Sequence, residues 1–210
     1  MAVFNRDDLA VFSIPEPEAR ISAIEGRLDP KLQSLGHELI DELAVRTGEE
    51  LHAALAVHTR KKKTPPDETW LALGPGARNY KKEPFFAVGV SLNAVHVRVQ
   101  VREECSRKVK IGEVVVERSP ELARHAQQLG ALRTFEEVSP DGLPDPAPAA
   151  EALFWSTLGG RVATKKSARL DIGVGWKGAE ALRLTKGRIA EAIVRLMPFY
   201  HLMAFDRWRF

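Results

Sequence analysis

From residue 94 to 103 the chain alternates, with Val95, Val97, Val99 and Val101 on one parity and His96, Arg98, Gln100 and Arg102 on the other. A period of two belongs to a β-strand with one apolar and one polar face, because successive side chains of an extended chain point to opposite sides. The valine side has to be covered by other apolar residues.

The same parity runs through other segments. Strands are predicted at 51–58, 69–74, 85–92 and 168–176 besides 94–103, and Asn93 permits a tight hairpin. One side of these strands carries Leu51, Leu55 and Val57, then Phe86, Val88, Val90 and Leu92, then Leu170, Ile172, Val174 and Trp176; these are core positions. The opposite side carries His52, Ala54, Ala56, His58, Ala87, Gly89, Ser91, Arg169, Asp171, Gly173 and Gly175, joined by Arg98 and Arg102. Side chains two apart stand about 7 Å from each other, so this side reads either as an open trough floored by Ala and Gly or as a face closely covered by a helix.

Helices supply the covering layer. Leu32, Leu35, Leu39, Ile40 and Leu43 repeat at helical spacing within 30–47, with Asp29-Pro30 as N-cap and first position and Gly48 as the stop. A shorter helix is predicted at 16–27 with a break at Asp29, and one or two turns at 6–11. Val114-Val115-Val116 favours a strand and the lysine-rich start before it a helix; 106–117 is read as helix. Ser119-Pro120 opens a helix closed by Gly130, and Ile189, Ile193 and Leu196 mark another at 186–197. The four prolines of 139–148 predict a surface loop. The expected fold is α+β: two layers, a mostly antiparallel sheet with helices on one face, in a single domain over 1–210.

With 210 residues and 44% hydrophobic side chains, a core of ordinary size is available. No apolar run approaches the ~20 residues of a membrane span, and the first residues carry acids where a signal peptide carries bases. The lone Cys105 supports no internal disulfide and fits a reducing compartment, so a cytoplasmic location without membrane contact is expected. The charge alternates in blocks: residues 58–110 hold 12 basic and 5 acidic side chains, while 1–57 hold 5 and 11. Such blocks either pair with each other in the fold or present fields to an anionic partner.

The densest basic stretch is HTRKKKTPPDETW at 58–70, followed by GARNYKKEPFF at 76–86. Arg60, Lys61, Lys62 and Lys63 precede the stiff Pro65-Pro66 pair, and Arg78, Lys81 and Lys82 follow on the next connection. Trp70 and Tyr80 add ring faces, the combination that single-stranded nucleic acid binding uses.

The order His58, basic cluster, Pro65-Pro66, Thr69-Trp70, Arg78-x-Tyr80-Lys81, Pro84-x-Phe86 resembles the YktB-like proteins, a bacterial family of unknown function. The resemblance spans 4–104, including the Asp29-Pro30-Lys31-Leu32 helix start, and returns at Leu196-Met197-Pro198-Phe199-Tyr200. It implies a single α+β domain and supplies no activity, cofactor or catalytic residue. Where the family more typically has Asn, Gly and His, this chain has Thr64, Asn79 and Phe85.

Two further motifs fall away. Gly173, Gly175 and Gly178 spell G-x-G-x-x-G but lack the parallel strand–helix–strand context of a dinucleotide site. His52 and His58 lie about 20 Å apart along one strand, too far to share a metal ion. No metal or cofactor is expected. The partner predicted is a polyanion, most plausibly nucleic acid, bound by Arg60, Lys61, Lys62, Lys63, Trp70, Arg78, Tyr80, Lys81, Lys82, Arg98 and Arg102. The alternatives are a small-molecule or phosphoester-handling enzyme with His58 and His96 lining a pocket over the small-residue face, and a protein-interaction module.

Overall fold

The valine-alternating segment forms an interior strand of the sheet, and its two faces have different fates. The computed structural model of the chain describes residues 1–58, 64–136 and 143–205. In chain order its helices and strands are α1 (Arg6–Ala10), α2 (Pro17–Ala23), α3 (Asp29–Thr47), β1 (His52–Leu55), β2 (Glu68–Gly74), β3 (Phe85–Ser91), β4 (Ala94–Val101), α4 (Lys108–Glu117), α5 (Ser119–Leu129), β5 (Arg133–Thr134), α6 (Ala152–Thr164), β6 (Leu170–Lys177) and α7 (Lys186–Phe205). Among the described residues the six strands make one antiparallel sheet in the order β1-β2-β3-β4-β6-β5. The fold is α+β, with α3 lying on β1 and β2 and α7 on β3 and β4.

The core face is the one predicted from parity. Val88, Val90, Val95, Val97, Val99, Leu170 and Ile172 are fully buried in one apolar cluster with Leu32, Leu39, Leu43, Ile193 and Leu196 of the helices. Val57 is the exception, 87% exposed, two residues beyond the end of β1 at Leu55. The β3–β4 hairpin closes through Leu92-Asn93, with Asn93 in the left-handed region at φ 61°.

Two helical expectations are corrected. The break at Asp29 is absent: one wide turn over Ile24–Leu28, in which the Asp29 N–H reaches Ile24 O, carries the helix through, so Asp29-Pro30 is not a start signal. A turn widened in this way accommodates Pro30, which has no N–H to give. Secondly, α7 continues to Phe205 through Pro198, past the expected end at 197. Burial of Phe199, Tyr200, Leu202 and Met203 compensates the hydrogen bond that the proline removes, with Phe199 stacked on Trp155 and Tyr200 tilted against Phe86. Besides these corrections, α6 lies in a segment for which the sequence predicted no element, since Gly159-Gly160 in its middle lowers propensity. Tertiary contact overrides propensity: Gly159 meets Gly112 of α4, and a Cβ on Gly112 would stand 2.5 Å from Ala163 N and 2.7 Å from Gly159 O.

The described part of the predicted proline-rich loop is pinned to the sheet. The Ala147 N–H donates to Leu132 O at 2.8 Å, and the Arg133 guanidinium donates to Pro144 O. Residues 137–142 lie outside the described residues, as do 59–63 and 206–210.

The α4–α6 crossing makes a paired prediction. Gly112→Ala forces the helices apart against backbone atoms and should cost about 1–3 kcal/mol in urea unfolding. Gly160→Ala, whose Cβ meets nothing within 4 Å, should be neutral or stabilise by up to about 1 kcal/mol. Equal effects at the two sites contradict the close crossing.

Candidate functional site

The polar face of the sheet is neither an open trough nor the bed of a helix. At its centre the Arg98 side chain, 2% exposed, lies between two carboxylates, with Nη2 3.1 Å from Glu68 Oε2 and Nη1 3.3 Å from Asp171 Oδ2. His96 Nε2 stands 3.4 Å from Glu68 Oε2, and Gln100 donates to Asp171 Oδ2 at 2.8 Å. Phe135 covers the group, its ring 5.0 Å from the His96 ring and 5.2 Å from the Arg98 guanidinium carbon. The small residues beneath are the footprints of these larger ones. A Cβ on Gly89 would stand 1.8 Å from His96 Cε1, one on Gly175 2.3 Å from Leu143 Cδ1, and one on Gly173 2.0 Å from the backbone oxygen of Val97.

Beside this cluster a cleft of about 330 Å³ remains, lined by His58, Thr64, Pro65, Pro66, Asp67, Glu68, Trp70, Lys81 and Arg102, with Ile21 and Val57. Its rim is fixed from the helical layer. Arg20 of α2, itself buried, donates to Ile14 O at 2.6 Å and to Pro66 O at 3.0 Å and stands 3.5 Å from Asp67. On the other side the connection after β2 makes a 3-10 turn over Tyr80–Lys82, which brings Lys81 Nζ to 5.8 Å from the Trp70 ring centroid. His58 meets Trp70 edge-on at 6.3 Å and shares a 3.0 Å hydrogen bond with Thr69.

The charge of the cleft is unevenly compensated. Its two acids are engaged inside the protein, Glu68 by Arg98 and Asp67 by Arg20. Arg102 Nε is shielded from solvent, with the Glu103 and Glu104 carboxylates only at 3.7 and 3.9 Å, beyond hydrogen-bond reach. Lys81 stands against aromatic rings. The acidic helices do not consume these cations: Asp7 and Asp8 pair with Arg27, Asp8 also with Lys31, Glu42 with Arg46, and Glu38 with Lys186 of α7.

Among the residues predicted from sequence, the structure gathers Trp70, Lys81 and Arg102 in the cleft, together with His58 from the alternative pocket. Arg78 and Lys82 are exposed on the same connection but outside the lining. Tyr80 packs edge-on against Phe85 at 4.9 Å, with burial pushing its hydroxyl up, so it covers the sheet instead of offering a ring to the cleft. Arg98 and His96 are buried in the ion cluster, where they meet no solvent-borne ligand directly. Arg60, Lys61, Lys62 and Lys63 lie outside the described residues, in the segment that joins His58 to Thr64.

Residues 4–200 match the family described as Domain of unknown function (DUF1054). The chain belongs to the DUF1054 family. It is 29% identical to a UPF0637 protein of Bacillus cytotoxicus over 206 residues, covering 96% of this chain and 98% of the relative. It is 34% identical to one of Oceanobacillus iheyensis over 119 residues, 57% of this chain and 58% of that one, and 37% identical to one of Staphylococcus carnosus over 105 residues, 50% and 52%. The YktB-like resemblance therefore extends beyond 4–104, through nearly the whole chain. Several residues that carry it, His58, Pro65, Pro66, Trp70 and Lys81, converge on the cleft. Asn79, where the DUF1054 signature more typically has glycine, adopts φ 57°, a left-handed conformation that glycine takes freely and asparagine next best.

Sequence inspection missed Glu68, Gln100 and Arg20 as parts of the site. Glu68, Arg98 and Asp171 share one parity, but only the register, with Arg98 opposite Gly173 and Gln100 opposite Asp171, brings their charges together. Arg20 carried no signal within the short helix read at 16–27.

Burial sets the protonation of this cluster. It pushes the His96 imidazole down to about 4, with Arg98 adding to the shift, and it pushes the Asp171 carboxyl up to about 6 against the pull of Arg98. At Glu68 burial also opposes ionisation, but Arg98 and His96 outweigh it and hold the carboxyl well below the usual range. The signs differ in their effect on stability. His96 and Glu68, both lowered, contribute fully above their unfolded values, and that contribution is lost as the pH falls through them toward the folded ones. Asp171, raised, acts oppositely: its folded-state penalty is relieved as the pH falls from about 6 toward its unfolded value of 3.8. Imidazole NMR should show His96 neutral from pH 8 down to about 5, where an unperturbed histidine, at about 6.5, is already protonated. Protonation of His96 near that unperturbed value contradicts the buried arrangement.

Proposed function

We propose that this DUF1054 protein binds single-stranded nucleic acid at the cleft, with Lys81 and Arg102 on the phosphates and the Trp70 ring against a base. A cytoplasmic setting fits that ligand and the single buried thiol of Cys105. The observation that carries the reading is the charge imbalance of the cleft: both acids have cationic partners, while among the described residues Arg102 meets carboxylates only at 3.7 and 3.9 Å, without a hydrogen bond, and Lys81 stands against aromatic rings. A phosphate oxygen supplies the short acceptor that the Arg102 guanidinium lacks. The sequence adds four cations in the five residues between His58 and Thr64, both of which line the cleft. A volume of about 330 Å³ suits one nucleotide at a time, with the remainder of a strand running over the exposed Arg78 and Lys82.

A second reading, a small-molecule or phosphoester-handling enzyme, is favoured by the position of His58 in the same space as Lys81 and Arg102. An imidazole beside two cations suits proton transfer on a phosphoester. Its mark is turnover of a generic phosphodiester that is lost in His58→Ala.

Fluorescence anisotropy with a labelled dT12 strand tests the binding reading. Between about 50 and 200 mM salt, affinity should fall by about 10–50-fold, as neutralisation of about three or four phosphates requires. Lys81→Glu with Arg102→Glu should weaken binding by at least about tenfold and flatten the salt dependence, and Lys61, Lys62 and Lys63 changed to Glu should do the same. Absent or salt-insensitive binding overturns the proposal.

A further inference from the structure

The cleft holds one group that a site for phosphate alone does not need. Glu68 lines it, 23% exposed, and stands two residues before Trp70 on the same face of β2, about 7 Å along the strand. Its carboxylate is held from behind. Arg98 Nη2 lies 3.2 Å from Oε1 and 3.1 Å from Oε2, and His96 Nε2 3.4 Å from Oε2, so both oxygens are fixed in place and in charge. An ionised carboxylate only accepts, with about two sites on each oxygen; Arg98 takes one on each, and His96 Nε2, at 3.4 Å from Oε2, lies beyond the usual hydrogen-bond distance. The lining therefore offers a ring surface at Trp70, cations at Lys81 and Arg102, and the carboxylate of Glu68, held from behind by Arg98 and His96.

We infer that the cleft selects guanine, with the two oxygens of Glu68 accepting from N1–H and N2–H of an unstacked base. This rests on the nucleic-acid reading above and adds the base it prefers. Guanine alone among the common bases presents two adjacent donors on its pairing edge. Adenine and cytosine place a ring acceptor beside their amino group, and thymine and uracil flank one N–H with two carbonyls. Each of the latter sets a lone pair against a carboxylate oxygen and leaves an acceptor without its donor. Single-stranded bases are read on this edge because it is free of a pairing partner. The second acid of the cleft, Asp67, is turned to Arg20 and does not compete for the role.

Anisotropy titrations of the full chain with dT12 strands carrying one central dG, deoxyinosine or dA decide the matter. Deoxyinosine keeps N1–H and lacks the N2 amine. The dG strand should bind about tenfold more tightly than the dA strand, with deoxyinosine between them. In Glu68→Gln, which presents one donor and one acceptor in the same shape, the dG to dA ratio should fall to within about twofold. Equal binding of dG and dA strands by the parent, or a ratio that survives in Glu68→Gln, overturns the base preference and leaves the binding reading standing. The deoxyinosine comparison needs no variant, so it holds even if Glu68→Gln destabilises the fold. Failure of every strand to bind overturns the binding reading itself, and the inference with it.

Discussion

A guanidinium buried in the polar face of a sheet has to be neutralised on the spot, and the arrangement around Arg98 follows from that requirement. Stripping such an ion of water costs several kcal/mol unless counter-charges stand in the correct geometry. Glu68 from β2 and Asp171 from β6 provide them across β4, so three strands are tied by charge as well as by their ladder hydrogen bonds. Phe135 excludes solvent above, and Gly173 allows the backbone of β6 to approach β4 beside Arg98. Pairs of this kind are weak evidence for net stability, since apolar replacements of similar volume are often as stable. A slip of one residue would send Arg98 into the valine core.

The same neutralisation shapes the cleft. Because Arg98 holds Glu68 and Arg20 holds Asp67, the acids beside the cleft are accounted for within the fold. Among the described residues, Asp7, Asp8, Glu38 and Glu42 of the acidic block pair with Arg27, Lys31, Arg46 and Lys186. Positive charge at Lys81 and Arg102 is what remains, next to an aromatic ring and at the ends of the segment that carries Arg60 to Lys63. Pairing between blocks does occur, as between Glu38 and Lys186 and between Arg20 and Asp67.

Legibility in the sequence tracked how local the determining physics is. The valine alternation, the leucine spacing of α3 and the Gly48 stop depend on neighbours within a few residues and were readable; Gly48 indeed adopts φ 71° and closes the helix onto Ala44 O. Helix α6 was unreadable because a glycine contact with α4, 47 positions away at Gly112, outweighs its poor propensity. Pro30 and Pro198 misled for the same reason, since a widened turn in one case and burial of aromatic side chains in the other tolerate them. At the site, Trp70, Lys81, Arg102 and His58 were visible as residue types. The pairing that buries Arg98 and His96 was not, because it depends on the β4–β6 register and on Phe135 arriving from a distant segment. Glycine and alanine on a strand face, read as the floor of a groove, instead mark where larger side chains sit.

The most direct test is the location of the bound strand on the protein. Backbone amide NMR spectra recorded while a short single-stranded oligonucleotide is added should show the largest shifts at Thr64, at Asp67 to Trp70, at Lys81 and at Arg102, with the amides of α5 and α7 unmoved. Shifts centred on the helical layer, or spectra unchanged at saturating oligonucleotide, contradict the account.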